Sequence, residues 1–418
     1  MTEPAIAPVT ATAAHPGQRP TTAGGRLSRP FTFAAIGVIF VVFMAASAAP
    51  TPLYVVYQQQ WGFSASVLTL VFAVYVFALI ASLLLFDALS DFVGRRPVLA
   101  SAIALEAIAL LLFAVAGNVG VLLVARVLQG IATGAAMTTL GATLVDLNPP
   151  HAPGRAGVVN GVAPVGGLAV GAIGCGALVQ FAPAPTHLVF LLLFAGMILA
   201  AVVVALMPET TVRRPGGLGS LAPRLGIPVR LRRDVYALLP ILIASWALGG
   251  LYLSLGPSVA AGLFGLTNHL VGGLVVTLLC GTGALTAFML RSWPAGRLLG
   301  ISSTLLGSGT VLTLIGIETG SAVLAAVGTV VAGIGFGASA LACFGTFARL
   351  AAPAERGELF SVAYVISYLA FSIPAVIAGL ASTGFGLRAT TTVYGLVVVA
   401  LCVAAGVAQR LRSPARQN

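Results

Sequence analysis

The sequence predicts an all-α integral membrane protein whose twelve transmembrane helices form two pseudo-symmetric six-helix bundles. Three observations lead to this fold class. The composition is apolar, twelve apolar segments are long enough to cross a bilayer, and almost all arginines lie on one side of the membrane that these segments would cross. Of 418 residues, 59% are hydrophobic and 7% are charged, and the mean hydropathy is +1.06. A soluble protein has about a quarter of its residues charged, so most of this surface must face lipid.

The twelve apolar segments each reach about 20 residues, the length that crosses a bilayer. The first six are 31–54, 67–89, 98–116, 119–145, 156–181 and 188–207, and the second six are 235–258, 270–290, 298–317, 322–348, 359–383 and 390–408. The longest polar stretch between them is rich in proline, glycine and arginine, which is typical of an irregular connector. The predicted organisation is a tail over 1–30, a bundle over 31–207, the connector over 208–233, a bundle over 234–408 and a tail over 409–418.

The arginines indicate the orientation. The net charge is +11, yet all 21 basic residues are arginine. Of these, 19 lie on one side of the twelve-span arrangement, while Arg388 lies in an opposite loop and Arg126 within a span. By the positive-inside rule that side is the cytoplasm, so we expect a multi-pass plasma-membrane protein with both termini cytoplasmic. Residues 1–30 lack the apolar stretch of a signal peptide and are expected to be a disordered cytoplasmic tail.

The same composition excludes several function classes. A high net positive charge suggests a nucleic-acid partner in a soluble chain. Here the positive charge follows from membrane topology, so no nucleic-acid partner is expected. The chain has no lysine, which excludes a Walker A site, whose lysine contacts nucleotide phosphates. Neither a His/Glu metal box nor a Gly-x-Ser-x-Gly elbow occurs. We therefore expect no enzyme activity, no cofactor and no metal site.

The strongest local motif lies between the second and third spans, where residues 87–97 read DALSDFVGRRP. It resembles the loop signature of the major facilitator superfamily, which runs glycine, three residues, aspartate, two residues, glycine and two basic residues. Asp91, Gly94, Arg95 and Arg96 match, while Asp87 stands where the family has its first glycine. The alternative is a solvated turn with surface charges, but position and spacing both favour the signature.

The predicted role of this loop is gating. Gly94 permits an unusual backbone conformation, and Asp91 can pair with the neighbouring arginines. The resemblance implies that Asp91 also faces the amino end of the eleventh span, near Glu358, where the helix dipole favours an anion. Asp146, at the end of the fourth span on the same side, is a second carboxylate that could join this cluster.

Further resemblances to the same family lie outside the loop. The fourth span contains Arg126-Val-Leu-Gln129-Gly130, similar to an arginine-x-x-glutamine-glycine signature. Pro208-Glu209-Thr210 follows the sixth span, as in drug-exporting branches, and the glycine-rich fifth span resembles a degraded antiporter signature. These resemblances imply a transporter similar to the twelve-span drug/proton antiporters, which works by alternating access.

Two ionisable residues, Glu106 and Arg126, lie deep within spans, where charge is costly and usually faces a cavity. Helix rise places Glu106 about 12 Å and Arg126 about 28 Å above the same membrane edge, so one ion pair and two separate cavity-facing charges are both open. Gln129 is the third candidate cavity residue. Removal from water favours the neutral form of a carboxyl group, so Glu106 is the expected proton acceptor if protons drive transport. Structural neutralisation is the alternative for both charges.

The predicted function is efflux of small amphipathic or hydrophobic compounds, with proton import as the driving force. A largely apolar interior with aromatic residues suits such compounds better than a sugar, which needs many hydrogen-bond partners. One alternative is an importer or facilitator of a small metabolite, and another is a membrane receptor or scaffold that moves nothing. The expected partners are a small-molecule substrate, protons and the lipid bilayer; a monomer would suffice, and the oligomeric state is open.

Overall fold

The computed structural model describes residues 26–86, 89–152, 154–211, 226–352 and 355–410. This part of the chain contains 12 helices that are long and apolar enough to cross a membrane, as predicted. We number them α1 to α12 in chain order: Arg29–Trp61, Ala65–Phe86, Arg95–Ala114, Val119–Asp146, Arg155–Phe181, Leu188–Leu206, Val229–Ser254, His269–Met289, Ala295–Thr319, Ala322–Leu350, Glu358–Phe385 and Leu387–Arg410.

The spans alternate in direction, so odd-numbered spans begin where even-numbered spans end. We call this face, which carries Asp91 to Arg96 and Pro208 to Thr211, the connector side, and the opposite face the far side. A hydrogen bond of 2.9 Å from Arg29 Nη2 to the carbonyl of Asp146 joins the start of α1 to the end of α4 on the connector side.

Two spans differ from the predicted boundaries by more than three residues. α1 continues past residue 54 to Trp61 in two segments, Arg29–Ala48 and Pro50–Trp61. Pro50 has no N–H to donate to the carbonyl of Ala46, four residues earlier, and this interrupts the helix. α7 begins at Val229, so the end of the predicted connector is helical. Asp87, residues 212–225 and most of both predicted tails lie outside the described residues.

Each half of the molecule has its own apolar core. One core contains Phe43 and Phe190 from the first six spans, and another contains Ile241 and Phe347 from the last six. A third buried cluster lies between the halves, where Phe72 of α2 is 5.1 Å from Phe371 of α11 between ring centroids. The halves therefore pack as two units against a shared apolar interface.

Small residues bring the two halves together in the far-side half of the spans. A β-carbon added to Gly273 of α8 would lie 2.3 Å from the carbonyl oxygen of Ala172 in α5. One added to Gly379 of α11 would lie 1.9 Å from the hydroxyl of Thr69 in α2. Such distances are possible only without a side chain, so glycine permits the close contact of the halves at these two points.

Candidate functional site

Three polar side chains lie fully buried in the core of the first bundle. Arg126 and Gln129 of α4 and Glu106 of α3 each have 0% exposure. Charged groups inside a membrane bundle are costly unless they are paired and hydrogen-bonded. Their partners therefore decide what this group can do.

Gln129 joins the two charged residues. Its Nε2 donates to Oε1 of Glu106 at 2.9 Å, and its Oε1 accepts from Nη1 of Arg126 at 2.6 Å. Glu106 and Arg126 therefore belong to one cluster, connected through the amide of Gln129. The sequence left this point open, because helix rise counted from the predicted span ends does not show which side chain lies between two residues on different helices.

The cluster also forms hydrogen bonds to backbone carbonyls at the break in α1. Nε2 of Gln129 donates to the carbonyl of Ala46 at 3.1 Å, which is the acceptor that Pro50 leaves without its usual helical partner. Nη1 of Arg126 donates to the carbonyl of Ser47 at 3.1 Å. A side chain of α4 thus replaces the helical hydrogen bond that Pro50 removes from α1, and a second one contacts the next carbonyl, so the conformation at the break depends on this cluster.

Aromatic rings surround the guanidinium group. Nη2 of Arg126 donates to the hydroxyl of Tyr54, and the guanidinium carbon lies 5.4 Å from the Tyr54 ring centroid and 5.2 Å from that of Tyr75. The ring of Phe113 is 5.6 Å away. Cation–π contacts of this kind stabilise a desolvated cation. Sequence reasoning did not identify Tyr54 as a partner of Arg126. Its position one turn after Pro50, where a proline interrupts the helix, was the available signal.

Two atoms of the cluster have no hydrogen-bond partner among the described residues: Oε2 of Glu106 and Nε of Arg126. An unpartnered buried carboxylate oxygen is expensive as an anion and can be relieved by accepting a proton. The arrangement can thus hold a proton at Oε2 while Oε1 keeps its bond to Gln129.

A second cluster, on the connector side, is centred on Arg95, whose side chain is largely buried. Its Nη2 lies 2.7 Å from Oδ1 of Asp91, and its Nε lies 3.2 Å from Oδ2 of Asp146. Nη1 donates to the hydroxyl of Ser90. The structure thus brings together the two predicted carboxylates around one of the predicted arginines.

Glu209 ties this loop to the segment after α6. Its carboxylate accepts the backbone N–H groups of Arg95 at 2.9 Å and Arg96 at 3.1 Å, which caps the amino end of α3. Thr210 Oγ1 donates to Oδ2 of Asp146 at 3.0 Å. The sequence marked the Pro208-Glu209-Thr210 tripeptide as a resemblance but did not assign this contact.

Two other predicted loop residues have distinct structural roles. Gly94 has φ 109° and ψ 154°, a region that is essentially restricted to glycine. Arg96 Nε donates to the carbonyl of Val204 at 3.1 Å, and Nη2 donates to the carbonyl of Ala205, so Arg96 caps the carboxyl end of α6. The expected contact of Asp91 with the start of α11 stays a prediction, and Asp87 lies outside the described residues.

The second bundle has a different character at the interface between halves. Trp246 of α7 packs 5.0 Å from Tyr368 and 5.9 Å from Phe371 of α11, between ring centroids. The described Asp, Glu and Arg residues of this bundle lie near the ends of its spans. Within the described ranges, no group of three or more His, Cys, Asp or Glu side chains could hold a metal ion.

Comparison with known proteins adds a family. Residues 34–299 match the family model of the Major Facilitator Superfamily. The MFS-type transporter paaT of Penicillium rubens is 38% identical over 89 residues, which cover 21% of this chain and 16% of that relative.

Solved structures share the fold over nearly the whole chain. A bacterial homologue of the human lysosomal transporter Spinster, in an inward-facing unoccupied conformation, has a TM-score of 0.72 at 15% identity and covers 94% of this chain and 98% of its own. The human organic anion transporter MFSD10 has a TM-score of 0.65 at 18% identity, with 91% and 100% covered. The nucleoside transporter NupG has a TM-score of 0.66 at 11% identity, again with 91% and 100% covered.

Proposed function

Because the chain belongs to the Major Facilitator Superfamily and is a membrane transporter of that type, we propose that it exports small amphipathic or hydrophobic compounds by alternating access. Proton import is the proposed driving force. The observation that carries this proposal is the fully buried cluster of Glu106, Gln129 and Arg126, in which Glu106 Oε2 has no partner among the described residues. A carboxyl group in this position can hold a proton at Oε2 while Oε1 still accepts from Gln129.

Proton binding at Glu106 would act on α1 through Gln129. A charged acceptor makes a stronger hydrogen bond than a neutral one, so protonation weakens the contact between Glu106 Oε1 and Gln129 Nε2. That same Nε2 donates to the carbonyl of Ala46 at the break of α1. Protonation of Glu106 therefore favours the hydrogen bond from Gln129 to α1, and deprotonation favours its hydrogen bond to α3.

The surroundings of the site support the proposed class of substrate. Trp246, Tyr368 and Phe371 form an aromatic surface at the interface between halves. Apolar and aromatic walls with few charged groups favour amphipathic or hydrophobic molecules over sugars.

Gating is proposed for the connector-side cluster. Arg95 holds Asp91 and Asp146 together, and Glu209 fixes the adjacent amino end of α3. A charge near a helix end of opposite polarity contributes about 0.3–1 kcal/mol at exposed positions and up to about 2 kcal/mol in partly buried ones. Breaking and remaking these contacts is therefore within the range of energies that a transport cycle can supply.

The first prediction concerns orientation in the plasma membrane. The connector side carries most of the arginines, so both termini are proposed to be cytoplasmic. A reporter enzyme that is active only outside the cytoplasm, fused after Asn418, should stay silent, whereas the same reporter inserted after Gly386 on the far side should be active. The opposite pattern would overturn the orientation.

The second prediction concerns coupling. Glu106→Gln should abolish the dependence of efflux on a pH gradient more than it weakens substrate binding, because glutamine cannot exchange a proton. Efflux from proteoliposomes, with the gradient imposed or collapsed, measures the first effect, and equilibrium binding measures the second. Glu318→Gln is the matched control, because this carboxylate lies on the far side with its side chain 51% exposed.

Two outcomes would decide against this proposal. If the Glu106→Gln protein still concentrates substrate when protons flow, Glu106 is not the coupling group. If the unaltered protein equilibrates a metabolite across the membrane without any gradient, the alternative function, an importer or facilitator, replaces proton-driven export.

A further inference from the structure

A cavity of about 290 Å³ lies inside the second bundle, away from the interface between halves. It occupies the far-side half, between α7, α8, α9, α10 and α12 and beside the short helix Gly256–Phe264. Thr329, on its wall, is seven residues into α10 and therefore about 10 Å below the far-side end of that helix. The cavity thus lies at the depth of one bilayer leaflet.

Its lining offers little for water to bind. The walls are aliphatic and glycine residues except for Phe264 and five hydroxyl-bearing side chains, and each hydroxyl already has a partner. Tyr252 OH lies 2.7 Å from Thr329 Oγ1, and the threonines donate to carbonyls of their own helices, at Ala325, Leu306, Gly309 and Leu387. Apolar cavities of about 150 Å³ in proteins stay dry and bind apolar molecules. This larger cavity is therefore suited to hydrocarbon.

Apolar side chains border an opening of the cavity at the protein surface. Three of its lining side chains are exposed, Leu266 by 37%, Leu274 by 38% and Val323 by 75%, and they mark a mouth where α8 and α10 begin. The neighbouring surface of α10 is also apolar, with Val327 exposed by 49%. At this depth, bilayer acyl chains are the most concentrated apolar molecules, and binding follows concentration.

We propose that this cavity binds one acyl chain of a bilayer phospholipid, which enters between the far-side ends of α8 and α10. The chain replaces void by van der Waals contact along aliphatic walls and requires no polar partner inside. The phospholipid head group stays at the membrane surface near Leu266 and Val323.

Photocrosslinking tests this site directly. The full-length protein is reconstituted in nanodiscs that contain a phospholipid with a diazirine near the end of one acyl chain, irradiated, digested and analysed by mass spectrometry. Labelled peptides should come from segments that line the cavity, around residues 248–278 and 310–329. Labelling that is confined to the outer surfaces of other spans would overturn the proposal.

Matched variants separate occupation of the cavity from contact with its rim. Ala326→Phe fills the cavity from α10 and should abolish labelling of its walls, whereas Ala340→Phe, at a half-buried alanine of α10 outside the lining, should leave it unchanged. Val323→Trp narrows the mouth from an exposed position, so it should reduce labelling without disturbing the fold. Retained labelling in correctly folded Ala326→Phe, or labelling by a free fatty-acid probe but not by the phospholipid, would refute the proposal.

Discussion

At the scale of single residues, the buried polar cluster provides acceptors for most of its donors, and one of these acceptors is a carbonyl that the backbone of α1 leaves free. Pro50 removes the helical partner of the Ala46 carbonyl, and Gln129 supplies a replacement. Arg126 similarly uses the Ser47 carbonyl and the Tyr54 hydroxyl. A glutamine and an arginine one turn apart on α4 therefore satisfy a break in another helix, and the cost of burying them is offset by these bonds.

Two tyrosines of α1 can test whether these hydrogen bonds offset the cost of burying the cluster. Tyr54 and Tyr57 are each 1% exposed, but the Tyr54 hydroxyl accepts from Arg126, while that of Tyr57 has no partner in the described part of the chain. Tyr54→Phe should lower the free energy of unfolding by about 1–3 kcal/mol, because it leaves a buried charged donor unpaired. Tyr57→Phe should change it little. Thermal unfolding of the purified protein measures both, and equal shifts would contradict the assigned role of Tyr54.

At the scale of elements, the amino end of α3 is the point where three segments meet. The loop after α2 supplies Gly94, α3 supplies its free N–H groups, and the segment after α6 supplies the carboxylate of Glu209. Helix amino ends attract anions because their first N–H groups lack helical partners. One glutamate thereby fastens the loop of the predicted gate to the connector.

The conformation of Gly94 yields a prediction for this element. Alanine there would be held in a backbone region that is costly for any residue with a β-carbon, by about 1–3 kcal/mol, and that carbon would lie 2.8 Å from Oε2 of Glu209. Gly94→Ala should therefore both destabilise the protein and displace the cap. Gly62→Ala is the control, because Gly62 has φ 66° with no heavy atom within 4 Å of an added β-carbon. Thermal unfolding midpoints compare them, and a smaller loss at Gly94 than at Gly62 would argue against this role.

At the scale of the whole molecule, some features could be predicted from the sequence because they depend on one segment at a time. The length of each apolar segment predicts a span, and the placement of nearly all arginines on one side checks the number of spans. The link from Glu106 through Gln129 to Ala46 could not be predicted, because it depends on the tilt of three helices and on a carbonyl freed by a proline in α1. The bond from Glu209 to α3 was missed for a similar reason, since 114 residues separate Glu209 from Arg95.

The contact between halves leads to the last prediction. Gly273 and Gly281 lie two turns apart on α8, yet a β-carbon at Gly273 would be 2.3 Å from the carbonyl oxygen of Ala172, while one at Gly281 would make ordinary contacts at 3.5 and 3.6 Å. Gly273→Ala should force α5 and α8 apart on the far side, and overpacking of this kind costs about 1–3 kcal/mol. That energy shifts a two-state equilibrium about 5- to 150-fold, here toward conformations open on the far side.

Distances between spin labels at positions 182 and 267, in the far-side loops after α5 and before α8, report this shift. The four native cysteines are buried, so introduced cysteines can be labelled selectively. Gly273→Ala should lengthen the distance and slow transport, while Gly281→Ala should leave both unchanged. If the two variants give the same distances, the far-side glycine contact does not control closure, and the halves must be held together on that side by the apolar cluster around Phe72 and Phe371 instead.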